Sequence, residues 1–175
     1  MNSIAEPKLA PPGAGLPKPE LFIARLVFAV QFRTGNRDSF NTRFAQEREA
    51  IRRLVDSCDA TSAATRVLSD RVLVLEDSSR YWSVWRTLDH LRIVNHGIAK
   101  TIELLTQEIP PNRKASTAAV KPSPTVDASI REVYEKSCDT VLAAVEAAPT
   151  LKTRSRFAHP WFGPLDSSGW HSMAG

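Results

Sequence analysis

The chain has 175 residues and a formal net charge of +4, with 42% hydrophobic and 24% charged residues. This length suits one domain with a hydrophobic core, and the composition is that of a folded protein and not of a disordered chain. No apolar run reaches the roughly 18 residues of a membrane-spanning helix, and the N-terminus lacks a secretory signal. We therefore expect a soluble, cytoplasmic protein that does not contact membranes.

The N-terminal 19 residues are rich in proline and glycine, which predicts a flexible leader followed by a single domain over residues 20–175. The next segment, PELFIARLVFAVQFR, predicts a short helix because Pro19 suits a first helical turn. Its apolar residues occupy nearly every side, so we expect it to be buried against several partners. Gly35 and Asn36 are predicted to end it.

A second, amphipathic helix is predicted in FNTRFAQEREAIRRLVDSC, where Phe40, Phe44 and Ile51 recur at helical spacing. Residues 59–80 are interpreted as a connection with at most one helical turn. A short strand at RVLVLE is an alternative, but it has no obvious pairing partner.

The strongest periodicity predicts a long core helix over residues 81–109, which Pro110 ends. After a loop, a further helix is predicted from Thr125, as its N-cap, to Pro149. No other segment predicts a strand convincingly. The pattern favours an all-α antiparallel bundle of about four helices.

The two cysteines and the distribution of basic residues do not indicate a function. Cys58 and Cys138 are far apart and match no metal-binding spacing, so we expect buried, reduced thiols. The basic residues are dispersed, apart from LKTRSR at residues 151–156, and no nucleic-acid recognition motif accompanies them. We therefore expect no nucleic-acid partner.

The long predicted helix carries two histidines. His90 lies one turn before the core residue Val94 and flanks the buried stripe, whereas His96 projects to a largely opposite side, so the two cannot share one ion. His90 is either a histidine at the edge of the core or a metal ligand, because imidazole is the commonest ligand for metals near neutral pH.

A resemblance to a known family rests on two segments in this order. These are Trp85 followed by Leu-Asp-His-Leu at residues 88–91, and HPWFGPLDSSGW at residues 159–170. Together they resemble the DinB-like superfamily, which includes the YfiT-type metal-dependent hydrolases. The similarity covers about residues 38–175. It implies a four-helix bundle with a long connection between its second and third helices, and a nickel or zinc ion held by three histidines.

The resemblance assigns only one of these ligands. His90 matches the first histidine of the family, whereas the other two form an HxxxH pair in a final helix that would begin about two turns after Trp170. The chain reaches Gly175 before that pair. We therefore expect a DinB-like bundle with the C-terminal helix truncated and an extra N-terminal helix. His159 and His171 match neither ligand by position.

The resemblance also implies a role for the aromatic segment near the C-terminus. In the family this loop folds apolar groups over the end of the bundle, so Trp161, Phe162 and Leu165 are expected to pack as a plug. Gly163 would supply the tight bend.

Two functions follow from these features. The first is a metal-dependent hydrolase, or a transferase acting on a small thiol such as mycothiol, bacillithiol or glutathione, with His90 as a ligand and Trp85 and Asp89 lining or orienting the site. Its metal site would need His159, His171 or a histidine of a second subunit. The alternative is a noncatalytic scaffold or binding module. In both cases we expect a homodimer that covers apolar surface left by the truncation.

Overall fold

The computed structural model describes residues 6–174. Over this part the protein is mostly helical, with two small two-stranded antiparallel sheets. None of its helices is both long and apolar enough to cross a membrane. The helices are α1 (Lys18–Thr34), α2 (Arg37–Asp56), α3 (Ala60–Ala64), α4 (Val84–Thr106), α5 (Ile130–Ala147) and α6 (Ser167–Ser172). The strands are β1 (Val67–Leu68), β2 (Tyr81–Trp82), β3 (Phe157–His159) and β4 (Gly163–Leu165).

The centre of the core lies between α4 and α5, the two helices that contact each other most extensively. Helix α4 begins after Ser83, whose hydroxyl accepts a hydrogen bond from the backbone N–H of Arg86 at 3.3 Å. The predicted apolar stripes of both helices are confirmed as core, except at Ile109 and Val133, which are exposed. Their most deeply buried apolar side chains are Leu88, Ile98, Ile102 and Leu105 on α4 and Tyr134, Val141 and Val145 on α5.

Helices α1 and α2 are separated by a sharp junction at two residues. Gly35 caps the end of α1, and a Cβ at this position would collide with the ring of Phe40, so only glycine fits. Asn36 caps the start of α2 by accepting a hydrogen bond from the backbone N–H of Ser39 at 2.9 Å, and Ser39 returns the contact in a capping box. The predicted end of α1 is confirmed, and Asn36 also begins the next helix.

The sequence predicted no convincing strands, and this prediction is wrong at two places. Val67 and Leu68 pair with Trp82 and Tyr81, which the periodicity had placed in the long helix. The strand considered at RVLVLE, residues 71–76, is not formed; the observed strand lies just before it, and its partner was hidden inside the helical pattern. Ladders of two residues carry no periodic signal, so local sequence does not reveal them.

The start of α5 also differs from the prediction. The helix begins at Ile130, and Thr125 lies outside it, so the prediction that Thr125 is its N-cap is wrong. The carboxylate of Asp127 accepts a hydrogen bond from the backbone N–H of Ser129 at 2.9 Å and forms the turn that precedes the helix. An aspartate turn thus takes the place of the expected threonine cap.

Helix α1 is formed where it was predicted, but the prediction that it is buried against several partners is wrong. Only Glu20 and Ala24 are buried in it. Five large apolar side chains on one side of the helix are between 51% and 70% exposed: Phe22, Ile23, Leu26, Val27 and Val30. We call these five residues the α1 apolar face.

Two buried carboxylates hold the N-terminal part of the chain in place. Glu20, in the first turn of α1, accepts hydrogen bonds from the Arg71 side chain and from the backbone N–H of Val74. Glu76 accepts hydrogen bonds from the backbone N–H groups of Gly13 and Gly15, each at 3.1 Å. Residues 10–15 of the predicted flexible leader therefore contact the rest of the domain, while residues 1–5 lie outside the described part.

The two cysteines are in different environments. Cys138 on α5 is buried, whereas Cys58, after the end of α2, is exposed, so the predicted burial is wrong for Cys58. Both thiols are free.

Candidate functional site

His90 lies on α4 and is held by one hydrogen bond. Its Nδ1 lies 2.6 Å from the backbone carbonyl oxygen of Val120, so Nδ1 carries the proton and Nε2 keeps its lone pair. The Trp82 ring packs beside it, with ring centroids 5.1 Å apart. Burial lowers the pKa of His90, the Val120 hydrogen bond opposes that shift, and the charge of Lys121 adds to it. The ring is therefore neutral at pH 7.

Asp89 and Trp85, the residues expected to line or orient a site at His90, have structural contacts. The Asp89 carboxylate accepts hydrogen bonds from Arg92 Nε at 2.9 Å and from the backbone N–H of Ser123 at 2.8 Å. It thereby ties α4 to the segment before α5. Trp85 is buried in the core. Within residues 6–174, no hydrogen bond joins Asp89 to His90.

His159 lies on β3 in a cluster of aromatic rings. Its ring stacks on Phe162, with centroids 4.9 Å apart, and meets the Trp170 ring at 5.5 Å. Its Nδ1 accepts a hydrogen bond from the backbone N–H of Trp161 at 3.2 Å, so in the neutral ring Nε2 carries the proton. Burial lowers the pKa of His159 to about 4.

His171 lies on α6 and is only 1% exposed. Its ring meets the edge of Phe40 at a centroid distance of 5.6 Å, and neither ring nitrogen has a hydrogen-bond partner among the described residues. Burial, together with the charges of Arg37 and Arg43, lowers the pKa of His171 to about 4. This histidine is a neutral, buried group with both nitrogens unsatisfied.

The three candidate ligands do not form one site. His90, His159 and His171 share no hydrogen-bond or aromatic partner: His90 pairs with Val120 and Trp82, His159 with the aromatic cluster, and His171 with Phe40. Across residues 6–174, no group of three or more His, Cys, Asp or Glu side chains lies close enough to hold a metal ion. The residues described thus do not fit the three-histidine centre that the resemblance implies.

The aromatic segment near the C-terminus forms a hairpin. Strands β3 and β4 pair from Phe157 opposite Leu165 to His159 opposite Gly163, and Gly163 has a positive φ of 74° in the turn. Trp170 on α6 stacks on Phe157 at 5.4 Å and donates a hydrogen bond from Nε1 to its carbonyl oxygen at 3.1 Å. The hairpin and α6 therefore form a rigid aromatic unit beside α4.

A cleft opens between this unit, the middle of α4 and the 113–120 segment. It has a volume of about 480 Å³. Its floor includes Phe157 and Trp170, and the basic residues that line it are His96, Lys100, Arg113, Lys114 and His159. No carboxylate lines it. We call this feature the basic cleft.

A second cleft of about 300 Å³ lies between α2, α4 and α5. Its apolar wall includes Ile51, Leu88 and Tyr134, and four of its five charged groups are paired with one another, while Glu132 pairs with Lys136 outside the cleft. Arg52 contacts Glu135 at 3.0 Å, and Arg131 pairs with Asp56. Because charges of both signs neutralise each other at its rim, this cleft has no charge preference for a ligand.

The sequence did not predict the basic cleft. Arg113 and Lys114 lie in a segment interpreted only as a loop, and Lys100 was given no role. One residue in the sequence could have pointed to the cleft. Gly97 lies inside the most strongly periodic helix, where glycine lowers helix stability by about 1 kcal/mol relative to alanine.

No known protein family, curated protein or solved structure matches this chain.

Proposed function

We propose that this chain is a noncatalytic helical binding module with a DinB-like four-helix arrangement, and that it works as a homodimer. The observation that carries the proposal is the α1 apolar face. Exposed apolar patches on monomers reach about 300–600 Å² and are often functional. Five side chains that are each more than half exposed belong at the upper end of that range.

The apolar surface continues beyond α1. Val72, Leu73 and Val74 are also exposed, and Glu20 holds this loop against the first turn of α1 through Arg71 and Val74. The combined surface approaches the roughly 800 Å² that each partner buries in a standard interface. A second copy of the chain is the partner that supplies an equally apolar surface.

The α1 apolar face is self-complementary. Phe22 and Val30 each lie four residues, or about one turn, from Leu26. A two-fold axis at Leu26 would therefore place Phe22 opposite Val30 of the partner subunit, with a large side chain facing a smaller one. None of the five positions carries a charge, so the centre of an antiparallel pair would bury no charge.

This geometry predicts a symmetric cross-link. In a Cys58→Ser background, Leu26→Cys should form an intermolecular disulfide under mild oxidation, because the two positions 26 would meet at the axis. Non-reducing gel electrophoresis measures the product. Leu54→Cys in the same background is the control, since Leu54 is 67% exposed but lies on α2. Equal cross-linking at both positions, or none at position 26, would contradict the dimer.

The second candidate function is a metal-dependent hydrolase or a transferase acting on a small thiol, and one observation favours it. The hydrogen bond from Nδ1 of His90 to Val120 leaves Nε2 with a free lone pair, as a second-sphere carbonyl does for a ligating histidine. One histidine is one ligand, and the further ligands would have to come from outside the described residues of this chain. Nickel or zinc and a cytoplasmic location remain predictions from the sequence.

Elemental analysis separates the two candidates. For the binding module we expect protein purified without chelator or metal-binding tag to contain much less than one nickel or zinc per chain, with no change in His90→Ala. Metal near one per chain that is lost in His90→Ala and retained in His96→Ala would favour the enzyme. His96 is the matched control because it lies on the same helix and is exposed.

A further inference from the structure

We infer that the basic cleft is a binding site for a small organic anion with a flat apolar body, a ligand that neither proposed function assigns. The body would lie on the aromatic floor, and the anionic head would face the basic residues. Its volume of about 480 Å³ is within the range of small-molecule sites, which are mostly apolar with a few convergent polar groups.

The floor of the cleft is apolar and rigid. The Phe157 and Trp170 rings are nearly parallel, with an interplanar angle of 21°, and the Trp170 N–H is already satisfied by the Phe157 carbonyl oxygen. Both rings are buried by their neighbours. Only a small part of each ring therefore faces the cleft, and a flat apolar group can contact that part without displacing a hydrogen bond.

The charge of the rim selects the sign of the ligand. Arg113 and Lys114 form no ion pair with any residue from 6 to 174, and Lys100 has only the exposed partner Glu103 at 3.2 Å. Exposed pairs of this kind are weak, so Lys100 can turn to a ligand at little cost. The Nε2–H of His159 adds a neutral donor that forms no hydrogen bond within the described residues. No carboxylate lines the cleft itself, and the nearby Glu103 is paired with Lys100.

Gly97 supplies an independent indication of a ligand. It lies in the middle of α4 and lines the cleft, and a Cβ built on it would meet no atom within 4 Å. The packing of the protein therefore does not require glycine at this position, although glycine weakens the helix. A side chain here would project into the space that the ligand needs.

Calorimetric titration with three ligands that share one apolar body tests the site. The probes are 1-naphthoate, 1-naphthyl phosphate and the neutral 1-naphthalenemethanol. We expect at least one of the two anions to bind roughly tenfold more tightly than the neutral compound, as three weak surface charges allow. The stronger of the two anions then tells whether the head group is a carboxylate or a phosphate. Equal binding of all three, or no binding, would overturn the proposal.

Variants locate the binding. Gly97→Phe should abolish binding of the anions with an unchanged circular dichroism spectrum, whereas Gly97→Ala should weaken binding to a smaller extent and raise Tm by roughly 2–4 °C. Replacing Lys100, Arg113 and Lys114 by glutamine should weaken anion binding roughly tenfold and leave the neutral compound unaffected. The matched control replaces Lys8, Lys152 and Arg154, three exposed cations outside the cleft, and should bind like the wild type.

Two outcomes place the anion elsewhere. Wild-type binding in Gly97→Phe would show that the probes bind outside the cleft, for example on the α1 apolar face. An equal loss of affinity in the control triple variant would show attraction by net charge alone. Either result would overturn this proposal, and neither bears on the dimer, whose test is the cross-link at position 26.

Discussion

Replacing Glu76 with alanine is expected to lower the free energy of unfolding by about 3–5 kcal/mol. The carboxylate is 4% exposed and joins three separate parts of the chain. Its hydrogen-bond donors are the backbone N–H groups of Gly13 and Gly15, Ser78 Oγ, Thr117 Oγ1 and Lys121 Nζ. Alanine would leave the ammonium group of Lys121 without its carboxylate partner, which is the costly part of breaking a buried ion pair.

The pKa of Glu76 agrees with this role. Burial raises the pKa, but hydrogen bonds from Lys121, Gly15 and Ser78 outweigh burial and hold it below its ordinary value. The folded state therefore binds the ionised form more favourably than the unfolded state does. This contribution is present above the unfolded pKa and is lost as the pH falls through the folded one.

Urea unfolding at pH 7 measures the loss, and limited proteolysis shows whether residues 10–15 are released. Glu146→Ala is the control, because Glu146 on α5 is exposed and should change stability by less than about 0.5 kcal/mol. Glu76→Ala combined with Lys121→Met should regain part of the loss, since no buried charge is then left unpaired. If Glu76→Ala were as stable as Glu146→Ala, the assigned role of this carboxylate would be wrong.

The second large effect is expected at His171 and depends on pH. In the unfolded chain this histidine takes up a proton below about pH 6.5, whereas in the folded protein it stays neutral down to a pKa of about 4. Its contribution to stability is therefore complete above pH 6.5 and decreases as the pH falls from 6.5 to 4. The loss over this range is roughly 3 kcal/mol.

His171→Leu removes both the titration and the two unsatisfied nitrogens. We expect it to be at least as stable as the wild type at pH 7, because no hydrogen bond is lost. At pH 4.5 it should be more stable by up to roughly 3 kcal/mol. Val141→Ala, a buried change that does not titrate, should lower stability by the same amount at both pH values. An identical fall in stability for wild type and His171→Leu between pH 7 and 4.5 would contradict the assignment.

The elements with long periodic patterns could be predicted from the sequence. The stripes of α4 and α5 extend over five or six turns, so burial of one face leaves a repeated signal, and Leu88, Ile102 and Val141 were placed correctly in the core. Helix α1 shows the limit of this reasoning. Its apolar residues predicted burial, but a pattern cannot tell whether apolar groups pack inside one chain or against a second copy.

Polar contacts between residues far apart in the sequence could not be predicted from such a pattern. Glu20 follows Pro19 and resembled an ordinary acidic residue in a first helical turn, yet it is buried against Arg71, which lies 51 residues away. Glu76 lay in a connection of mixed composition. A carboxylate whose partners come from three distant segments is recognised only when the fold brings them together.

The candidate site was also only partly predictable. The sequence distinguished His90 from His96 by helical position, and in the structure His90 is partly buried whereas His96 is exposed. The sequence did not reveal that the cations of the 113–120 segment face α4. A loop has no periodic pattern, so its sequence does not indicate where its side chains point. The basic cleft is formed by segments that only the fold brings together. In the sequence, the glycine at position 97 within a helical pattern was the one local feature that pointed to it.

The dimer through α1 is the central claim, and sedimentation equilibrium over a concentration series tests it most directly. The wild-type chain is predicted to reach a mass of twice its 19.4 kDa. Leu26→Glu is predicted to remain at the mass of one chain with an unchanged circular dichroism spectrum, because position 26 is exposed in each subunit before association. A wild-type protein of 19.4 kDa at every concentration, or a Leu26→Glu variant as dimeric as the wild type, would contradict the claim.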